Sequence, residues 1–397
     1  MFEQIQPAPR DPILGLTESF REDPNPKKIN LSVGVYQDST GKTPILESVR
    51  RAGQLVLERQ KSMSYLPIDG SRTYATAVQR LMFGEGHQVQ SSGRAATSHT
   101  PGGTAALRVA ADLIHKQFPK ATVWLTQPTW PNHPQIFAAA GVPTKSFPYF
   151  DAETNGLAFD QAMSAMQDIP SGDVILLHGC CHNPTGIDPA PDQWAKLADR
   201  AYDRGLLPLL DFAYQGFADG IHADAVGLRA FARPEAELIV CSSFSKNFGL
   251  YCERVGALTV VAKDKAAADT VQSQVKYCIR ANYSNPPAHG AELVTTVLDD
   301  GELRSLWEKE VAQMRNRING MRELLVKTLE AKGVPGDYSF ITRQRGMFSF
   351  SGLTPSQVEA LKQKYSIYIV GSGRINVAGI TEQNVEPLCE AIAEVVE

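Results

Sequence analysis

The stretch Leu238-Ile239-Val240-Cys241-Ser242-Ser243-Phe244-Ser245-Lys246-Asn247-Phe248-Gly249-Leu250 opens as an apolar run rich in β-branched residues and passes into hydroxyls and a lysine. The run has the length and composition of a buried strand, which puts Lys246 just past its carboxyl end. Ligands of open α/β sheets bind at that edge. A lysine partly desolvated there has a lowered pKa and can act as a neutral nucleophile toward a carbonyl. Eight residues on, Arg254 offers a planar cation able to hold a phosphate through two hydrogen bonds. An amine for an aldehyde, with serines and an arginine for a phosphate, suits pyridoxal phosphate. A solvated lysine after a strand is the plainer reading of this stretch alone.

The surrounding chain repeats the pattern. Short runs at 95–99, 122–127, 142–147, 173–178, 206–210, 237–241 and 255–262 read as strands. Helices at 47–60, 104–117, 192–204 and 224–232 fall between or before them. Strands alternating with helices predict an α/β domain with a mostly parallel seven-stranded sheet covered by helices. Pro208 is awkward inside a strand. Before this domain, Pro7 to Pro12 reads as an extended arm, and Ile29 to Tyr36 as a strand containing Gly34. After residue 300 a long amphipathic helix, 303–332, ends at Gly333 and Pro335. Strands at 346–350, 367–370 and 375–377 with helices at 355–364 and 382–395 then predict a smaller α+β domain.

Five further groups carry chemistry. Thr100-Pro101-Gly102-Gly103-Thr104 joins a strand to a helix, where glycines admit an anion to the helix N-terminus and the Thr104 hydroxyl can donate to it. It lacks the lysine of a nucleotide P-loop, and a plain glycine turn is the alternative. Asp211 closes the run 206–210 and is either a helix cap or the partner of a pyridinium nitrogen, with Tyr214 three residues on. Cys180-Cys181-His182-Asn183-Pro184-Thr185-Gly186 follows strand 173–178. Its cysteines, with His178 and His182, match no common zinc spacing, so no metal is expected, and Asn183 is its informative residue. Trp130 can cover the face of a flat ring or simply pack. Arg280 and Arg374 lie in polar, turn-like contexts, and arginine forks suit carboxylates.

Composition excludes other classes. The 397 residues are 43% hydrophobic and 21% charged, an ordinary globular balance, and the net charge of −4 gives no reason to expect nucleic acid. No apolar run approaches a membrane span, and residues 1–10 carry no apolar signal core, so a cytoplasmic location is expected. Six cysteines without Cys-x-x-Cys spacing are expected as free thiols. The first βα unit has no Gly-x-Gly-x-x-Gly, which argues against a nicotinamide oxidoreductase.

Together, Ser243–Tyr251, Glu253-Arg254-Val255-Gly256, His182–Gly186, Asp211–Gly216 and Arg280–Ser284 make the chain resemble the class I (fold type I) pyridoxal-phosphate aminotransferases. Within that class it is most similar to the bacterial aspartate and aromatic amino-acid branch. The resemblance runs from Asp11 to the C-terminus. It implies that Lys246 is the Schiff-base lysine and proton shuttle, that Asp211 holds the pyridine nitrogen, and that Tyr214 and Asn183 bond the phenolic oxygen. It implies a phosphate cradle of Gly103, Thr104, Ser243, Ser245 and Arg254, reached by Tyr65 from a neighbouring subunit, with Trp130 stacked on the ring. Arg374 is implied to clamp the α-carboxylate, Arg280 from the partner chain the distal carboxylate, and Gly34 to line the substrate pocket. Shared sites imply a homodimer. The implied layout is an N-terminal arm and part of the small domain at 1–44, a large domain at 45–313 and the small C-terminal domain at 314–397.

The expected reaction is transfer of the amino group of aspartate to 2-oxoglutarate. Val35, Thr43, Thr104 and Asn285 resemble the aspartate branch, Gln37 and Ser64 resemble neither, and the His178–His182 stretch leans toward the aromatic branch. An aromatic aminotransferase is therefore the nearest alternative. A pyridoxal-phosphate lyase or decarboxylase on the same fold, or a non-catalytic relative, stands further off. Intact Lys246, Asp211, Arg254 and Arg374 argue against the last.

Overall fold

Seven short runs, buried for the most part except at β3, pair into one sheet: β1 (Ala95–Pro101), β2 (Val123–Gln127), β3 (Thr144–Pro148), β4 (Val174–His178), β5 (Leu207–Phe212), β6 (Leu238–Ser243) and β7 (Val255–Val261). The computed structural model describes residues 1–7 and 14–396. The spatial order is β1-β7-β6-β5-β4-β2-β3. Neighbours are parallel except at β7, which runs antiparallel to both β1 and β6. Every residue of β4, β6 and β7 is buried, so both faces of the sheet are covered there. This is why these strands read as continuous apolar runs rather than alternating ones. Pro208 is accommodated in β5 because pairing with β6 begins only at Leu209.

One face of the sheet packs on α3 (Gly102–Gln117), whose Leu107, Ala110, Ala111 and Ile114 meet Leu125, Leu176, Leu209, Ile239 and Leu258 in a single core. From α2 (Arg72–Phe83), the Tyr74 hydroxyl donates to the Gly256 carbonyl at 2.8 Å. Helix α1 (Glu47–Arg59) starts on the Glu310 carboxylate, which accepts from Glu47 N at 2.6 Å and Ser48 N at 3.2 Å and so satisfies two otherwise unpaired first-turn donors. Helix α4 (Lys265–Asn282) packs against β1. Helices α2 and α4 are not among the expected elements, although Ser71 and Asp264 cap them through Tyr74 N and Ala267 N and are legible signals.

The chain divides into two units, Pro44–Asn316 around this sheet, and Met1–Thr43 with Arg317–Glu397. Helix α5 (Gly301–Ala331) supplies residues to both. In the smaller unit, Phe348–Phe350 pairs antiparallel with Arg374–Asn376, and Ile29–Asn30 pairs parallel with Ile367–Tyr368. The strand expected over 29–36 stops at Asn30, because side chains take over the backbone partners. Arg374 Nη2 donates to Ser32 O (2.7 Å), and Asn376 Nδ2 donates to Val33 O (2.6 Å) and Val35 O (2.9 Å). The arm expected at Pro7–Pro12 lies, apart from Pro7, outside the described residues. No helix of the described residues is long and apolar enough to cross a membrane.

Candidate active site

Six parallel strands end at one edge of the sheet, and the antiparallel β7 begins there. The register pairs Val255 with Pro101 and Gly256 with Ser243, so Arg254, the residue before β7, meets the turn after β1 and the hydroxyls after β6. Arg254 Nη1 donates to Ser245 Oγ at 3.3 Å. A Cβ added to Gly102 would lie 2.5 Å from Arg254 Nη2, and one added to Gly103 would lie 3.1 Å from Ser243 Cβ. The glycines thus leave a backbone cradle under a guanidinium. Helix α3 starts in this cradle at Gly102, with no side-chain cap on its first turn. Free first-turn N–H groups, two hydroxyls and an arginine form an anion site.

Lys246 follows β6 and is half-buried, with Nζ 4.9 Å from the centre of the Tyr214 ring. Burial pulls its pKa down, the Asp211 charge opposes and the Arg254 charge assists, and the balance lies at about 8. The loop that carries it is braced from beneath. Trp307 on α5, fully buried, donates from Nε1 to Asn247 O at 2.7 Å and stacks on Phe248 at 4.5 Å. Asn247 Nδ2 donates to Gln215 O at 3.2 Å, which ties the Lys246 loop to the Tyr214 loop.

Asp211 lies near the end of β5, buried, opposite His178 in the register. Burial alone would raise its pKa, but the hydrogen bond from His133 Nε2 (3.1 Å) and nearby positive charge outweigh it and keep the carboxyl below its usual value. On its other side, His133 Nδ1 is hydrogen-bonded to the Thr129 hydroxyl at 2.7 Å, which fixes the ring's orientation. The edge of the His133 ring meets Trp130, centroids 5.3 Å apart. His133 has no assigned role in the sequence reading, yet it joins Trp130 to Asp211, 78 residues away along the chain.

Asn183 is buried in the turn after β4. Its approach is set by Asp188, whose carboxylate accepts from Cys181 N (2.6 Å) and His182 N (2.9 Å), with Cys181 held at φ 50°. Burial pushes the Asp188 carboxyl up to about 6. The His182 ring is engaged by Thr126 and Thr185 hydroxyls (3.0 and 2.9 Å) and stacks on Tyr149. His178 and His182 therefore do not converge with the cysteines. Among the described residues, the groupings of metal-ligand type are His133, His178 and Asp211, and Cys180, Cys181 and Asp224. Asp224 is already committed to the N–H groups of Gly216, Ala218, Asp219 and Gly220.

Gly103, Thr104, Trp130, Asn183, Asp211, Tyr214, Ser243, Ser245, Lys246 and Arg254 thus belong to the edge of one sheet. Tyr65 is 91% exposed, and Arg280 is exposed with Nη1 on Ser284 Oγ. Arg374 and Gly34 belong to the smaller unit. There the Arg374 guanidinium lies 4.2 Å over the Phe348 ring, and a Cβ on Gly34 would meet that ring at 2.9 Å.

The profile of the family "Aminotransferase class I and II" matches residues 26–392. The aspartate aminotransferase of Salmonella typhi is 54% identical over the whole of both chains. The aromatic-amino-acid aminotransferase of Pseudomonas aeruginosa is 45% identical over 99% of this chain and 98% of its own. Among solved structures, the aromatic-amino-acid aminotransferase of Burkholderia pseudomallei, covalently bound to pyridoxal phosphate, superposes with a TM-score of 0.97 at 46% identity over the whole of both chains. With an anion cradle, a depressed lysine and a buried carboxylate at one sheet edge, and relatives of this identity over its full length, the chain belongs to the class I and II aminotransferases.

Proposed function

We propose that this protein transfers the amino group of aspartate to 2-oxoglutarate, giving oxaloacetate and glutamate, with pyridoxal phosphate held at the edge of the seven-stranded sheet. The observation that carries the reading is Lys246, half-buried with its pKa lowered to about 8, on the same edge as the Gly102–Arg254 cradle and the ionised Asp211. The donor set fits the group. The α3 N-terminus, Gly103, Thr104, Ser243, Ser245 and Arg254 suit a phosphate, while Asp211 suits a protonated ring nitrogen.

When bound, the cofactor supplies an electron sink for the charge left at the substrate Cα. Lys246 Nζ would hold the cofactor's aldehyde carbon and, as a neutral amine, would take the substrate Cα proton as general base. Asp211, kept ionised with help from the His133 hydrogen bond, would hold the ring nitrogen in its protonated form. Tyr214 and Asn183 would bond the phenolic oxygen, and Trp130 would cover the ring face. Arg374 pairs with the α-carboxylate, and Gly34 lines the substrate side of the smaller unit. Tyr65 and Arg280 act in the neighbouring copy of a homodimer, on the phosphate and the distal carboxylate; the exposure of both side chains supports this. Arginines for both ends of the substrate favour a short diacid by bidentate pairing. The reading includes a cytoplasmic location, in keeping with six free thiols. Aromatic side activity belongs to it too, since relatives named for aromatic substrates are 45–46% identical.

The test is spectroscopic and chemical. The purified holoprotein absorbs in the visible, the band shifts on adding aspartate, and it reverts with 2-oxoglutarate. Borohydride reduction adds the cofactor's mass to the peptide containing Lys246. An unmodified peptide overturns the reading, and release of ammonia or CO2 in place of glutamate assigns a lyase or decarboxylase.

A further inference from the structure

Two side chains assigned to the partner's site, Tyr65 and Arg280, stand 215 positions apart in sequence yet are tied together within one protomer. Gln272, Lys276 and Arg280 recur every four residues on α4, so they form one stripe along the helix. The loop carrying Tyr65 docks on the first two members of that stripe. Asp69 Oδ2 accepts from Gln272 Nε2 at 2.9 Å and pairs with Lys276 Nζ at 3.0 Å. Backbone struts on β1 complete the frame. His99 N donates to Asp69 O at 2.9 Å, and the Tyr283 hydroxyl, just past Arg280, donates to His99 O at 3.1 Å. Gly70, at φ +85°, lies flush on the same residue, since a Cβ there would meet His99 Cβ at 2.6 Å. On the Tyr65 side of Pro67 the hold is weaker, a 3.4 Å bond from Asn285 Nδ2 to Leu66 O. The Asp69 carboxylate is therefore the last firm anchor before Tyr65, and it grips the helix that presents Arg280.

We propose that Asp69, through Gln272 and Lys276, is a positioning residue that keeps Tyr65 and Arg280 in fixed register, so that one protomer delivers both to its neighbour's site as a unit. This rests on the functional reading above. The anchor is partly exposed, with Asp69 and Lys276 side chains at 22% and 43%, so its loss is worth a modest factor rather than collapse.

The experiment compares Asp69→Ala and Asp69→Asn holoenzymes, measuring kcat/KM for aspartate and for phenylalanine and the dissociation constant of pyridoxal phosphate. In Asp69→Ala the aspartate-to-phenylalanine ratio falls about three- to ten-fold, the scale of a slightly misplaced clamp. Cofactor affinity weakens as well. Asp69→Asn recovers part of both, because its carbonyl still accepts from Gln272. In an Arg280→Ala background Asp69→Ala leaves the ratio unchanged, as two members of one path require. Parallel losses for both substrates, or an unchanged ratio with unchanged cofactor affinity, overturn the proposal. Should Asp69→Ala fail to fold, the Gln272→Leu/Lys276→Met double variant removes both contacts of Asp69 with the helix and is read by the same criteria. If Arg280→Ala itself does not separate aspartate from phenylalanine, the functional reading fails; if it does and Asp69→Ala does not, only the brace fails.

Discussion

Lys246 must be neutral to capture an aldehyde, so the rate of cofactor capture by the cofactor-free protein reads its pKa directly. With a pKa of about 8, about a tenth of the amine is neutral at pH 7; at the ordinary 10.5 only about 0.03% is. Burial therefore accelerates capture at neutral pH by a factor on the order of 10². The perturbation is pH, followed by replacement of the two charges that act on the amine. Pyridoxal without its phosphate is the probe, so that the phosphate cradle does not enter. In stopped-flow absorbance the logarithm of the rate rises with unit slope up to about pH 8 and then levels. Arg254 pushes the pKa down and Asp211 holds it up. Arg254→Gln therefore moves the break to higher pH, and Asp211→Asn moves it to lower pH. A wild-type rate still climbing through pH 10, or charge replacements that move the break in the opposite directions, refutes the reasoning.

Three other outcomes are expected. Arg280→Ala lowers kcat/KM for aspartate on the order of 10²-fold, the cost of truncating one partner of a desolvated charge pair, and leaves phenylalanine nearly untouched in steady-state assays. Gly256→Ala places a Cβ 2.5 Å from the Gly102 carbonyl carbon at the start of α3 and 2.7 Å from Ser242 O on β6, backbone on both sides. It costs about 2 kcal/mol or more by overpacking, read as a lower denaturant midpoint, and loosens the cradle. Burial lowers the pKa of His99 to about 4 and of His178 to about 3. Their folded values lie below the unfolded 6.5, so the stability they contribute is complete above pH 6.5 and is lost as pH falls toward 4 and 3. Asp188, held up to about 6, opposes this between pH 6 and 3.8. Buried His182, also held well below its ordinary value, adds to the loss, so the net effect is falling stability below pH 6, checked by denaturant titration at pH 6.5 and 4.5.

The amino-acid pattern alone determined the strands of the large sheet, since buried parallel strands are short β-branched runs bounded by turns, and it placed Asp211 and Lys246 at or just past strand ends. The glycine turn before α3 and the arginine before β7 were legible for the same reason: local chemistry and strand boundaries lie within a few residues of each other. Pairing across the chain was not legible. Only the tertiary structure shows that β7 reverses direction, and that reversal brings Arg254 against Gly102 and Ser245. Only the tertiary structure brings His133 to Asp211, Asp188 beneath the Asn183 turn, and Asp69 onto the Arg280 helix. Residues 31–35 mark the same limit. They look like a strand, but whether their carbonyls find a ladder or the side chains of Arg374 and Asn376 depends on what packs beside them. Periodicity is a property of neighbours along the chain, whereas a carboxylate's partner is chosen by proximity in space.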